Sequence, residues 1–334
     1  MRADNFFGRG TLLREILDGE RDSLWVVGAR RLGKTSLLKE LEYQVQQSAQ
    51  TPFVPLYWDL QGSADSRGLA DGLLGSVEDS ESFRRATDID VEDLEGFSVA
   101  DMLTTLVRRT VRSGWRLLLL VDEAEEFLAV ARTDTVVLPR LRRIFQKGPD
   151  VRTVLTATKR LARIDEITDV DTSPFLQGFI PPVYLTPLAA DEARALLVRG
   201  QFSKDEVEMV LERTANHPFL VQLIASRLFE SRDLGATLDQ VAADEMVSNF
   251  FSVDFQTLDG DERALLEQMA RDGARSRKEL AQAIRRTEEA VEPLLYGLRM
   301  MGYLTAESGS YRIGNWFFER WLRRVTANAG VRPV

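Results

Sequence analysis

Short apolar runs alternate along this chain with longer segments whose apolar residues recur every three or four positions. Residues 24–27, 53–58, 117–121, 151–155 and 181–185 are the runs, the fourth of them broken by Arg152 and Thr153. Their lack of polar alternation predicts strands of a parallel sheet covered on both faces. Between them, residues 11–17, 36–47 and 97–113 carry helical spacing, the last with an apolar stripe of Met102, Leu103, Leu106 and Val107. Residues 135–147 predict a basic helix with Pro139 in its first turn. Residues 63–95, rich in Gly, Ser, Asp and Glu, predict a loosely structured insertion holding a short helix or two.

After the fifth run the pattern becomes helical only, over 190–199, 205–214 and 218–230. Strands alternating with helices and then giving way to helices predict an α/β domain followed by a helical one. From about residue 256 the spacing predicts helices at 259–270, 276–284 and 287–301. Two short strands follow at 302–305 and 309–313, then an amphipathic segment at 316–325. That order is a winged helix-turn-helix. The expected division is therefore 1–188, 189–253 and 254–334.

Between the first apolar run and the first long helix lies Gly28-Ala29-Arg30-Arg31-Leu32-Gly33-Lys34-Thr35-Ser36. It fits G-x-x-x-x-G-K-[ST], in which a turn aims backbone N–H groups at nucleotide phosphates, here lined by Gly28, Arg30, Gly33 and Ser36. Lys34 reaches the terminal phosphates and Thr35 ligates Mg²⁺. A helix N-terminus is the right place for such an anion, because its first N–H groups are unsatisfied and its dipole is positive there. Arg30 and Arg31 either contact phosphate or brace the loop against neighbouring carboxylates.

The third apolar run ends in Asp122-Glu123. A buried strand that delivers paired acids to the carboxyl edge of a parallel sheet suits metal and water handling. Asp122 is expected in the Mg²⁺ shell with Thr35, and Glu123 is expected to orient and polarise the attacking water. The plainer reading is that these acids open a helix, where they favour its dipole.

Composition narrows the chemistry. With no cysteine and one histidine, disulfides, thiolate metal sites and His-rich clusters are excluded, so any metal is expected to arrive with phosphate. A net charge of −9 argues against a general nucleic-acid coat. No apolar stretch is long enough to span a membrane and residues 1–5 lack a signal-peptide core, so the cytoplasm is the expected compartment.

Further candidates are positional. Phe6, Phe7, Gly8 and Arg9 precede a helix and either staple it or lie across a nucleotide base. Asp59 and Gln61 follow the second strand, as turn residues or site residues. Thr156 and Thr158 end the fourth strand, where a hydroxyl suits the γ-phosphate. Arg140, Arg142, Arg143, Lys159 and Arg160 are open choices for neutralising transition-state charge. His217, beside Pro218, reads as a cap or turn residue or as part of the site.

Phe7-Gly8-Arg9, the glycine-rich loop with its Arg-Arg, Leu120-Val121-Asp122-Glu123, Asn216-His217-Pro218-Phe219-Leu220-Val221-Gln222 and the terminal wing together resemble the STAND branch of the AAA+ ATPases. The prokaryotic archaeal-type ATPases are the nearest group, and the resemblance spans almost the whole chain. It implies an α/β P-loop NTPase core of the AAA+/ASCE kind with a parallel five-stranded sheet, a helical lid and a winged helix-turn-helix. It also implies a switch, with ADP held in a closed state and ATP in an open, assembling one, including homo-oligomers.

In the family a G-x-P motif sets a proline against adenine. Pro218 stands in that place here, with Asn216 where the family has glycine. Sensor repeats or an effector are common in such proteins, so the sensor and effector are expected in a longer chain or in partner proteins. The competing expectation is a DNA-bound ATPase of the origin-recognition or transposition type. From residue 275 on there are eleven Lys and Arg against six Asp and Glu. The helix expected in the major groove, however, opens with Glu288, Glu289 and Glu292, while Arg312, Arg320, Arg323 and Arg324 lie elsewhere.

Overall fold

The computed structural model describes residues 6–167 and 174–329, so residues 1–5, read above for a leader, lie outside it. Its contacts form two compact units, Met1–Gly28 with Lys34–Val183, and Ala29–Gly33 with Tyr184–Val334.

In the first unit, β1 (Ser23–Val27), β2 (Phe53–Asp59), β3 (Arg116–Asp122), β4 (Val151–Ala157) and β5 (Val183–Tyr184) make a parallel sheet in the order β2-β3-β4-β1-β5. Leu117 through Val121 of β3 are fully buried, as unbroken apolar character requires of a central strand. Pro55 sits in β2, which lies at a sheet edge where a missing N–H is tolerated. After β1 the chain crosses to the far edge, while β5 lies on its other side. The carboxyl end of β1 is thus a topological switch point, the place where open α/β sheets bind ligands.

Residues 63–95 hold the two helices expected there but are well packed rather than loosely structured. Helices Ser66–Asp79 and Glu81–Thr87 occupy most of that stretch, with Leu69, Leu73, Val77 and Phe83 fully buried. Gly68, Gly72 and Gly75 dilute the helical signal there. Packing overrides propensity, and Asp65 caps the first helix by accepting from the Gly68 N–H at 2.8 Å. Helix Gly10–Asp18 packs against helix Lys34–Gln47.

The second unit holds helices Ala190–Val198, Lys204–Thr214, Pro218–Ser231, Leu234–Ala243 and Glu245–Phe255. The last two lie where the periodicity gives no helix. Asp233 and Asp244 open them by accepting from the Ala236 and Met246 N–H groups. Helices Gly260–Asp272, Arg277–Ala283 and Glu288–Met300 follow, with an antiparallel sheet of β6 (Arg275–Ser276), β7 (Leu304–Glu307) and β8 (Ser310–Ile313) in the order β6-β8-β7.

The closing helix Trp316–Ala329 is stapled by Asn315, whose Oδ1 accepts from the Phe317 and Phe318 N–H groups while its Nδ2 donates to the Thr214 carbonyl. Phe251 and Phe255 of helix Glu245–Phe255, within which residue 253 lies, pack against Phe318 and Trp321 of the closing helix, so the two helices share one core. No helix among the described residues is long and apolar enough to cross a membrane.

Candidate nucleotide site

β1 runs straight into the glycine-rich loop. The Gly28 N–H donates to the Ala157 carbonyl at 3.3 Å, tying the loop's start to the end of β4. Arg31 (φ 57°) and Gly33 (φ 98°) both take left-handed backbone, and helix Lys34–Gln47 begins at once. Buried Ala29 and Leu32 anchor the loop while Arg30, Arg31 and Thr35 face solvent and Ser36 is half-buried. The Lys34 ammonium is buried and donates to the Gly28 carbonyl at 3.1 Å. The loop therefore curls around a cation at a helix N-terminus, the geometry that suits an anionic guest.

Two strands over, Asp122 ends β3 at 1% exposure. Its Oδ1 accepts from the Glu123 N–H at 3.0 Å and from the Thr156 hydroxyl, and its Oδ2 accepts from the Tyr57 hydroxyl at 3.0 Å. Burial, then the charges of Asp122 and Asp59, push the Tyr57 phenol far up, so it stays a neutral donor. Glu123 leaves the strand in left-handed backbone (φ 51°, ψ 42°) before the short turn Ala124–Glu126, and helix Phe127–Thr133 begins only after that turn.

Within the turn, Glu125 accepts from the Thr158 N–H at 3.2 Å. Glu126 is pushed up by burial and by its neighbour Glu125. The Thr158 hydroxyl is buried without a hydrogen-bond partner among the described residues. Buried polar atoms are rarely left so, and this one sits at the end of β4, between β1 and β3 in the sheet order. Together with the loop and the spare acceptor capacity of Asp122, it fits a magnesium-bound polyphosphate.

Residues Ala29–Gly33 make their compact contacts within the second unit. There the Arg30 N–H donates to Asp254 Oδ1 at 2.9 Å, and Tyr303 donates its hydroxyl to Oδ2. Burial and the adjacent Asp254 push the Tyr303 phenol well above its ordinary value, which keeps it a donor. The Arg31 guanidinium lies 4.3 Å from the Phe219 ring centroid and 5.9 Å from that of Phe250. The bracing expected from the two arginines thus takes another form, since Arg30 uses its main chain and Arg31 uses aromatic faces. Pro218 opens helix Pro218–Ser231 beside Phe219, and His217 caps it with its ring 5.6 Å from Phe250.

Phe7, Gly8 and Arg9 precede helix Gly10–Asp18, with Gly8 and Arg9 left-handed. Asp59 accepts from the Gln61 N–H at 2.9 Å, which is turn chemistry. Arg142 donates to the Pro174 carbonyl, while Arg140 and Arg160 are exposed. Sequence reasoning missed Tyr57, Asp254 and Tyr303, and gave Phe219 only a place in the Asn216–Gln222 motif. Tyr57 reads as one more apolar strand residue, and Asp254 lies on a helix the periodicity does not reveal.

Comparison with known proteins fits this geometry. Residues 17–164, from the end of the first helix through β4, match a family model described as an AAA domain. This stretch is an AAA-type P-loop ATPase domain.

The AAA domain and the chain that follows it share their fold with solved structures. A Walker-type ATPase of Pyrococcus abyssi superposes with a TM-score of 0.69 at 18% identity, covering 96% of this chain and 97% of that one. The Aeropyrum pernix ORC2 protein in its ADPNP–ADP complexes gives 0.56 at 14% identity, covering 98% of each chain. Among curated proteins no sequence match is found.

Proposed function

We propose that this chain binds ATP with Mg²⁺, hydrolyses it slowly, and uses the nucleotide state as a switch for conformational change or assembly with partner proteins, including further copies of itself. The carrying observation is the pairing of loop and acids at the ends of β1 and β3, which flank β4, with the Lys34 ammonium turned back onto the loop and Asp122 held by Thr156 of β4. In this reading Gly28 to Ser36 cradle the phosphates and Lys34 offsets their charge. Thr35 and Asp122 hold Mg²⁺, which polarises the terminal phosphoryl group when bound. Glu123 orients a water and accepts its proton. Phe7, Gly8, Arg9 and Pro218 are proposed for the adenine, and the Thr158 hydroxyl for the γ-phosphate.

The switch part rests on Asp254 and Phe219, second-unit residues that engage Arg30 and Arg31 of the loop itself. Residues 1–188 serve as the core, 189–253 as a lid and 254–334 as a winged helix, in a STAND-type arrangement acting in the cytoplasm. Steady-state ATP hydrolysis tests the reading. Glu123→Gln is expected to retain ATP and lose turnover by about 10²–10⁴-fold. Wild type no faster than that variant sinks it.

A second reading, a DNA-bound ATPase, draws on the basic excess after residue 275. The pairing of charges weighs against it. Arg277 bonds Glu288 and Glu292 at 3.1 Å each, Arg320 pairs with Asp239, Arg323 with Glu319, and Arg324 donates to Ser248. A tight, salt-sensitive duplex affinity that collapses on Arg312→Ala would reverse the preference.

A further inference from the structure

Each oxygen of an ionised carboxylate offers about two acceptor positions. On Asp122, Oδ1 has both filled, by the Glu123 N–H and the Thr156 hydroxyl, whereas Oδ2 has one filled, by Tyr57. Oδ2 is therefore the oxygen with capacity left. Which direction that capacity faces is set by the donor already on it.

Tyr57 is itself held from a second side. The Lys39 ammonium lies 3.2 Å from the Tyr57 ring centroid and 3.3 Å from Glu42. Lys39 follows Thr35 by four residues on helix Lys34–Gln47, so the two share a face. The path Thr35, Lys39, Tyr57, Asp122 is thus a physical tie between the helix that presents the proposed hydroxyl ligand of the metal and the strand that presents its acid.

We infer that Tyr57 is a positioning residue for the metal half of this site, braced by Lys39, whose hydroxyl leaves a single directed acceptor on Asp122 Oδ2 for magnesium or its bound water. This rests on the nucleotide-site reading above. It goes beyond that reading by assigning work to a strand tyrosine and a helix lysine outside both the loop and the paired acids. Outer partners of this kind typically change metal affinity by about 10–100-fold when removed.

Tyr57→Phe keeps the ring and the Lys39 contact and removes only the hydroxyl. Binding of a fluorescent ADP analogue is followed against Mg²⁺, then Mn²⁺, with a parallel titration in EDTA and a melting curve. The expected result is a rise of about tenfold in the metal concentration at half-saturation, with metal-free nucleotide affinity unchanged. Lys39→Met, which leaves the hydroxyl in place, is expected to shift the same curve in the same direction by less.

Metal curves of Tyr57→Phe that coincide with wild type, while Asp122→Asn moves them, overturn the inference and leave the nucleotide site standing. So does an equal loss of affinity with and without metal, which is the mark of a merely structural role. If neither Lys34→Ala nor Asp122→Asn alters nucleotide binding or its metal dependence, the site reading fails and takes the inference with it.

Discussion

The main-chain N–H of Arg30 donates to the Asp254 carboxylate at 2.9 Å, so a residue of the phosphate loop holds an anion supplied by the protein itself. Asp254 is 3% exposed, and at that burial its charge is little screened. A polyphosphate in the loop brings more negative charge into the same neighbourhood.

Asp254→Asn keeps the shape and an acceptor oxygen while removing the charge. Nucleotide affinity is expected to rise several-fold, about 1 kcal/mol, and more for the triphosphate than for the diphosphate. Calorimetry with ADP and a non-hydrolysable ATP analogue checks this. An unchanged or weaker affinity for both would remove Asp254 from the proposed switch.

Thr158→Val replaces a buried hydroxyl that has no partner among the described residues by a methyl of nearly the same volume. Relief of an unsatisfied buried group contributes about 1–3 kcal/mol, so the melting temperature is expected to rise. Turnover is expected to fall at the same time. A variant both more stable and fully active would mean that the hydroxyl has no place in the reaction.

Arg152 is a buried cation on β4 whose guanidinium donates to the Ile16, Leu17 and Gly19 carbonyls and to Asp22. These are the carbonyls that the end of helix Gly10–Asp18 leaves without partners. Arg152→Met is expected to cost about 3 kcal/mol, because it strands those carbonyls, while Asp22 keeps its bond from Arg116 at 2.7 Å. Hydrogen exchange should show the loss first in helix Gly10–Asp18.

Asp244 is held below the usual carboxylate range, first by its hydrogen bond from Arg227 and then by backbone N–H groups at the start of helix Glu245–Phe255. Its folded-state value lies below the unfolded one, so its contribution is complete above about pH 4 and is lost as pH falls through the folded value. Urea midpoints measured from pH 6 down to pH 2.5 are expected to fall less steeply for Asp244→Asn than for wild type. Parallel acid limbs would show that the pair contributes nothing.

The central strand was legible because the sheet is covered on both faces, which leaves no room for polar alternation in Leu117–Val121, whereas β4 carries Arg152, Thr153 and Thr156 buried among its apolar residues. Lys34, Asp122 and Glu123 could be proposed from sequence because phosphate and metal chemistry demands those residue types in that local order. Two kinds of feature were hidden. Helices Ser66–Asp79, Leu234–Ala243 and Glu245–Phe255 are specified by aspartate caps and by packing, while glycines or mixed composition blur their periodicity. Tyr57 and Asp254 act on residues far away in sequence, at separations of 65 and 224. No local pattern encodes such a meeting.

Pro55 gives the outermost strand β2 one main-chain position that cannot donate. A visiting strand laid along that rim would find a gap in the row of N–H groups it needs, and the sheet resists being lengthened on that side. A protein that meets this rim does so through side chains rather than by extending the backbone ladder.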